Sequence, residues 1–216
     1  MVGNSSFSQL LHALAADSAV TTLFISLYIK LFFLLTPFFV LTVFLSLTED
    51  MDIPAQRKLA VRTTIAVLVS ALTLYFAGNP IFATLGITLD GFRIGAGSLL
   101  FLSAVSLVSG KRQSPQPDDD ADVAVVPLAI PITVGPATIG TLLILGAELR
   151  GATDKMMGAA SLVAACVTVG LMLFSASAVK RVIGRMGLSV LTKITGLVLS
   201  AMAAQIVFTG VKNFLG

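Results

Sequence analysis

The residues best placed to do chemistry sit where apolar helices must break. From Val126 the chain reads Val-Pro-Leu-Ala-Ile-Pro-Ile-Thr-Val-Gly-Pro-Ala-Thr, ending at Thr138. Proline lacks the N–H that a helix needs and clashes with the preceding turn. Pro127, Pro131, Pro136 and Gly135 therefore exclude one continuous hydrogen-bonded helix. A shorter break, Thr36-Pro37, lies 99 residues earlier, so that Pro37 corresponds to Pro136. Glu49 and Glu148 keep the same offset. A break exposes the N–H groups of one helix start, which suit a carboxylate, and the carbonyls of one helix end, which suit an ammonium or a sodium ion. A zwitterionic amino acid carries both charges; water or another small polar solute uses the same groups. The candidate binding residues are Thr36, Pro37, Pro131, Thr133, Gly135, Pro136 and Thr138. Arg93 joins them either as a partner for a substrate carboxylate or as a marker of the membrane interface.

Unpaired backbone groups cost several kcal/mol each in hydrocarbon, so such breaks survive only where protein or a water-filled cavity covers them. The elements around them are apolar. The chain has 216 residues, 56% of them hydrophobic and 12% charged, with a mean hydropathy of +0.98. This is the composition of an all-α membrane protein forming a single transmembrane domain over residues 1–216. Six spans are expected: Val20–Leu47, Leu59–Ala77, Phe92–Val108, Val123–Gly146, Met156–Val179 and Leu188–Gly210. Residues 81–89 form either a re-entrant piece or an extension of the third span. Asn79-Pro80 reads as a turn closing the second span. Residues 1–18 lack the basic start of a signal peptide. Phe7, Leu10, Leu11 and Leu14 there recur at the spacing of an interfacial amphipathic helix.

The internal similarity extends past the prolines. Leu85-Gly86-Ile87-Thr88-Leu89 resembles Met186-Gly187-Leu188-Ser189-Val190, Arg93-Ile94 resembles Lys193-Ile194, and Gly97 lies near the equivalent of Gly196. Two three-helix halves, 20–109 and 123–214, are joined by a polar loop over 110–122 that holds Asp118, Asp119, Asp120 and Asp122. An odd number of spans per half makes the halves inverted, with spans 1 and 4 broken by proline. Basic residues set the orientation. Arg57, Lys58, Arg62, Lys111, Arg112, Lys180, Arg181, Arg185 and Lys193 fall on one side; Lys30, Arg93, Arg150, Lys155 and Lys212 fall on the other. Nine against five favours the first side as cytoplasmic, with both termini outside a cell inner (plasma) membrane.

Other chemistries find little support. The single Cys166 excludes an internal disulfide, and one cysteine with one histidine, His12, supplies too few ligands for a transition metal. No cofactor and no enzymatic constellation is expected. The acids Glu49, Asp50, Asp52, Asp90, Glu148 and Asp154 fall at span ends, which argues against a relay of buried carboxylates. Lys30, the deepest charge, reads as a snorkelling side chain. Gly91 and Gly95, and Gly196, Ser200 and Ala204, read as helix-packing patterns, and Gln205 as a hydrogen-bond partner of a neighbouring helix.

Val-Pro-Leu-Ala-Ile-Pro followed by Gly135-Pro136, together with Leu85–Ile87, Phe92-Arg93-Ile94, Gly97, Lys193, Gly196, Gln205 and Thr209-Gly210, resembles the MarC family of bacterial and archaeal membrane proteins over roughly residues 22 to 214. The resemblance implies six spans and kinship with the LysE-like exporters, built on three-plus-three repeats. Some relatives are described as transporters of small neutral amino acids. In the family the first break is usually Asn-Pro followed by a small residue; here it is Thr36-Pro37 followed by Phe38 and Phe39. Threonine offers fewer hydrogen bonds than asparagine, and two phenylalanines narrow a cavity, so the fourth span is expected to carry more of the binding. The expected function is secondary transport of small solutes such as neutral amino acids, by alternating access at a midplane site. The expected partners are the lipid bilayer and a small-molecule substrate, with H+ or Na+ as coupling ion, and a homo-oligomer is compatible with this reading. Nucleic acid is not expected. The alternative is a non-transporting scaffold or regulator that meets its partner through the Asp-rich loop.

Overall fold

The computed structural model describes residues 20–110, 133–149 and 151–216. The expectations for the N-terminal amphipathic helix, for the loop at 110–122 beyond Gly110 and for Val126–Ile132, Pro131 included, lie outside these residues. The described residues form helices joined by short turns. They are α1 over 20–34, α2 (Pro37–Leu47), α3 (Ile53–Leu85), α4 (Leu89–Ser109), α5 (Pro136–Glu148), α6 (Ala152–Phe174) and α7 (Ala176–Leu215).

Local chemistry sets most of the boundaries. Asp52 caps α3 by accepting from the Ala55 N–H at 3.0 Å, and Pro54 follows in the first turn, where its missing N–H costs nothing. Thr88 caps α4 by accepting from the Gly91 N–H at 3.2 Å. Glycines in the left-handed region end α3 (Gly86, φ 64°) and α4 (Gly110, φ 65°). Gly184, at φ 71° and ψ 167°, divides α7 into 176–183 and 185–215.

Five helical stretches are long and apolar enough to cross a membrane: Val20–Leu47, Ile53–Leu85, Leu89–Ser109, Ala152–Phe174 and Ala176–Leu215. Pro136–Glu148 is a shorter apolar helix, and residues 123–132 of the expected fourth span lie outside the described residues. One expectation needs correction: Asn79-Pro80 does not close a span, because α3 continues through it to Leu85. Both residues are exposed, and the packing beyond them holds the helix on course. Phe82 is buried with Leu143 and Ala147 and meets the Phe92 ring edge-on at 4.8 Å. That burial outweighs one lost backbone hydrogen bond. Residues 81–85 accordingly belong to α3.

Small residues bring the helices together. A side chain on Gly97 would collide with Val207, and one on Gly196 with Val108 and the Ala104 carbonyl. These contacts, with Gly210 against Asp90, run α4 and α7 antiparallel. A methyl group on Gly146 would strike the Tyr75 carbonyl oxygen, so α3 and α5 touch backbone to backbone there. The packing glycine of α4 is thus Gly97, whereas Gly95 faces open space and Gly91 meets only its own cap.

The main core gathers Leu31, Leu35, Tyr75, Leu100, Leu142, Leu162 and Leu199, and a second centres on Phe44 with Leu59, Leu173 and Leu188. Polar pins cross it: the Tyr28 and Thr168 hydroxyls bond at 3.0 Å, and Ser161 donates to the Phe24 carbonyl at 3.2 Å. The outside is apolar, with Ile25, Ile65, Val69, Phe76, Leu171 and Phe208 exposed. A surface of this kind is matched by lipid tails rather than water. Gln205 faces this outer surface and not a neighbouring helix, because Gly196, Leu199, Ala203 and Gly210 occupy the inward face of α7. Lys30 is exposed on α1.

Candidate functional site: a hydroxyl-lined cavity

Two helix starts line the floor of one cavity of about 770 Å3. The first follows Thr36, whose backbone is left-handed at φ 48° and ψ 54°. Proline disfavours the right-handed helical region for the residue before it, and here α1 ends and α2 starts anew at Pro37. The second is the start of α5 at Pro136, preceded by Gly135 at φ −80° and ψ 175°. Neither start has a side-chain cap. Helix geometry leaves the N–H groups of Ala137 and Thr138 without intrahelical acceptors, and both residues line the cavity with Gly135 and Pro136. Thr138, almost fully buried, donates to the Thr133 carbonyl at 3.3 Å across the bend. Thr141 donates to the Ala137 carbonyl at 2.9 Å.

The walls alternate apolar and hydroxyl groups. Leu34, Leu99, Leu100, Leu107 and Leu199 supply the apolar surface. Thr42 and Ser46 on α2, Ser103 and Ser106 on α4, and Ser189 and Thr192 on α7 supply the hydroxyls. Most of these satisfy themselves within their own helix: Thr42 donates to the Phe38 carbonyl at 2.8 Å, Ser103 to Leu99 at 3.0 Å, Ser106 to Leu102 at 3.1 Å and Thr192 to Leu188 at 2.8 Å. Their acceptor lone pairs stay free for a solute. The mouth is charged, with Glu49, Lys180, Arg185 and Lys193. Arg185 reaches Glu49 at 3.3 Å in a well-exposed pair.

Of the residues singled out from sequence, Thr36, Gly135, Pro136 and Thr138 come together in this cavity. Pro37 is buried behind the wall, and Thr133 is buried and contributes its carbonyl to Thr138. Of the two phenylalanines expected to narrow the cavity, Phe39 lines it beside Thr36, whereas Phe38 packs against the second core. Arg93 is a correction: it does not line the cavity. Its guanidinium is held at the opposite end of the bundle, where Nε and Nη2 donate to one Glu148 oxygen at 3.0 and 2.6 Å and Nη1 donates to Asp90. Asn213 joins them by donating to Asp90 at 3.2 Å. Two carboxylates fix this arginine as a clamp between α4, α5 and the end of α7.

The hydroxyl stripes and the charged mouth were missed in the sequence. Their signal is weak but real: Thr42, Ser46 and Glu49 follow one another at three- and four-residue steps, as do Ser103 and Ser106, and Ser189 and Thr192. Each set forms one helix face inside an apolar span.

The model of the MarC family of integral membrane proteins matches residues 21–215. A UPF0056 membrane protein of Pyrococcus abyssi is 31% identical over 197 residues, covering 89% of this chain and 96% of the relative. The UPF0056 membrane protein YhcE of Escherichia coli K12 is 30% identical over 197 residues, covering 86% and 90%. One from Aquifex aeolicus is 30% identical, covering 74% and 78%. No solved structure matches the chain. With nearly its whole length matched to the family model and aligned with full-length relatives, the chain belongs to the MarC family of integral membrane proteins.

Proposed function

We propose that the protein is a secondary transporter of small polar solutes, neutral amino acids among them, that works by alternating access. The observation that carries this reading is the cavity of about 770 Å3, open at one end and floored by two uncapped helix starts. Its volume falls in the range of small-molecule sites. Free N–H groups at the floor suit a carboxylate, the hydroxyl stripes suit an ammonium, and the leucines suit a short apolar side chain.

Alternating access needs two halves that can exchange roles. The packing supports this reading. α2 packs on α7 as α4 packs on α5, α2 on α6 as α3 on α5, and Gly97 and Gly196 both lie at the α4–α7 crossing. These pairings interchange when residues 20–109 and 123–214 are exchanged, as in an inverted three-plus-three repeat with proline breaks at Pro37 and Pro136. The excess of basic residues on the side of the charged mouth favours that side as the cytoplasmic face of an inner membrane, with the termini outside. H+ or Na+ is the natural coupling ion.

The test is solute flux in proteoliposomes holding the purified full chain, across a panel of neutral amino acids and under imposed Na+ and H+ gradients. Saturable flux that falls about tenfold with Thr138→Val and Pro136→Ala together supports the site, because the pair removes the Thr138 hydroxyl and loosens the fixed bend that aims the floor N–H groups. Flux untouched by that pair removes the floor as the binding site. No flux and no solute-dependent rise in thermal stability favours a scaffold instead.

A further inference from the structure

The Arg93–Glu148 clamp and the charged mouth hold similar residue types at near-equivalent places in the two halves of the sequence. Glu49 precedes Glu148 by 99 residues, the offset of Pro37 and Pro136, and Lys193 follows Arg93 by 100, one residue past the position that this offset gives. The two pairs sit at opposite ends of the bundle. At the closed end Arg93 meets Glu148 at 2.6 Å, and the arginine side chain is 12% exposed. At the open end Glu49 and Lys193 both line the cavity mouth, and the Glu49 carboxylate is taken by Arg185 at 3.3 Å. Each latch also has a holding partner. Asp90 pairs with Arg93 within α4, and Arg185 pairs with Glu49, so neither residue is stranded when its cross-bundle partner leaves.

We propose that Arg93–Glu148 and Lys193–Glu49 are two repeat-related ion-pair latches that close the two faces of the cavity one at a time. This rests on the alternating-access reading. In the state described here the first latch is shut and the second is open. In the alternate state α2 and the second part of α7 approach, Lys193 meets Glu49, and Glu148 leaves Arg93. Charged pairs suit this task. An open pair is solvated, a closed pair trades solvation for Coulomb attraction, and the two nearly cancel. Both states then stay populated, so that a bound solute can shift the balance.

The test reads access to the cavity, not flux. In the full chain carrying Cys166→Ala, the substitution Ser103→Cys places the sole thiol on the cavity wall. A charged, membrane-impermeant methanethiosulfonate reagent is applied to vesicles of either orientation. The parent should label from the Lys193 end. Glu148→Gln should raise labelling from the Arg93 end by about fivefold or more, with Glu148→Asp restoring the parent pattern, and Glu49→Gln should lower it by a similar factor. If Glu148→Gln does not accumulate in the membrane, Glu49→Lys at the exposed mouth replaces it: repulsion from Lys193 should lower labelling from the Arg93 end about fivefold. Labelling that ignores these changes, or shifts the same way for Glu148→Gln and Glu49→Gln, overturns the latches. Flux is followed in the same vesicles. Flux with indifferent labelling removes the latches and leaves transport; switching labels without flux removes transport and leaves the latches.

Discussion

Thr36 sits in a backbone conformation that threonine resists, and replacing it should stabilise the protein. Its φ of 48° makes it the only non-glycine residue at positive φ among the described residues. For an L-residue the left-handed region brings Cβ against the following carbonyl oxygen, at roughly 1–2 kcal/mol. A β-branched side chain makes that worse. Asparagine visits this region routinely. The Thr36 side chain makes no capping hydrogen bond, so little is lost by removing it. Thr36→Asn should therefore stabilise by about 1 kcal/mol. Thr36→Gly relieves the same strain but gives back roughly 0.4–1 kcal/mol through a more flexible unfolded chain. Thr36→Val keeps the branch and the strain and loses only the hydroxyl. The expected order of stability is Asn, then Gly, then Thr and Val together. Thermal unfolding of the purified chain in detergent reads this directly, at about 2–4 °C per kcal/mol for a chain of this size. If Asn and Gly both lower the melting temperature, or Val raises it as much as Asn, backbone strain at Thr36 is not what the measurement sees.

Three further substitutions probe the frame around the cavity by the same melting assay. Gly184→Ala should cost roughly 1–3 kcal/mol, because φ 71° with ψ 167° is a region for glycine alone and no neighbour lies within 4 Å to confuse the reading. Gly95→Ala is its counterpart: a helical glycine facing open space, where alanine should stabilise by about 1 kcal/mol. Gly146→Ala should cost about 1–3 kcal/mol, since its methyl group would force α5 away from the Tyr75 carbonyl, and loss of the effect in Gly146→Ser would be hard to reconcile with that clash.

Composition and hydropathy were sufficient to read an all-helical membrane protein, because a chain this apolar has few other ways to satisfy its backbone in lipid. The Pro37 and Pro136 positions also announced where helices start, since a missing N–H and a fixed φ act within one turn and need no tertiary help. Gly86 and Gly110 ended helices for equally local reasons. Pro80 shows the limit of that reasoning: the proline argued for a stop, and Phe82 packing on α5 and α4 kept the helix going. The cavity was legible only at its floor. Thr36, Gly135, Pro136 and Thr138 stand out as breaks, but the walls are ordinary serines and threonines whose meaning depends on which helix faces which. The sequence offered Arg93 either as a partner for a substrate carboxylate or as an interface marker, and the structure holds it away from the cavity. Its two partners lie 3 residues away on its own helix and 55 residues away on another, and only the packing of α4 against α5 puts Glu148 within reach. Sequence settled what is apolar and marked Pro37 and Pro136 as helix starts, because those properties are local. Tertiary structure settled that Thr36 and Pro136 line one cavity and that Arg93 meets Glu148, because those depend on distances between segments that the chain order does not contain.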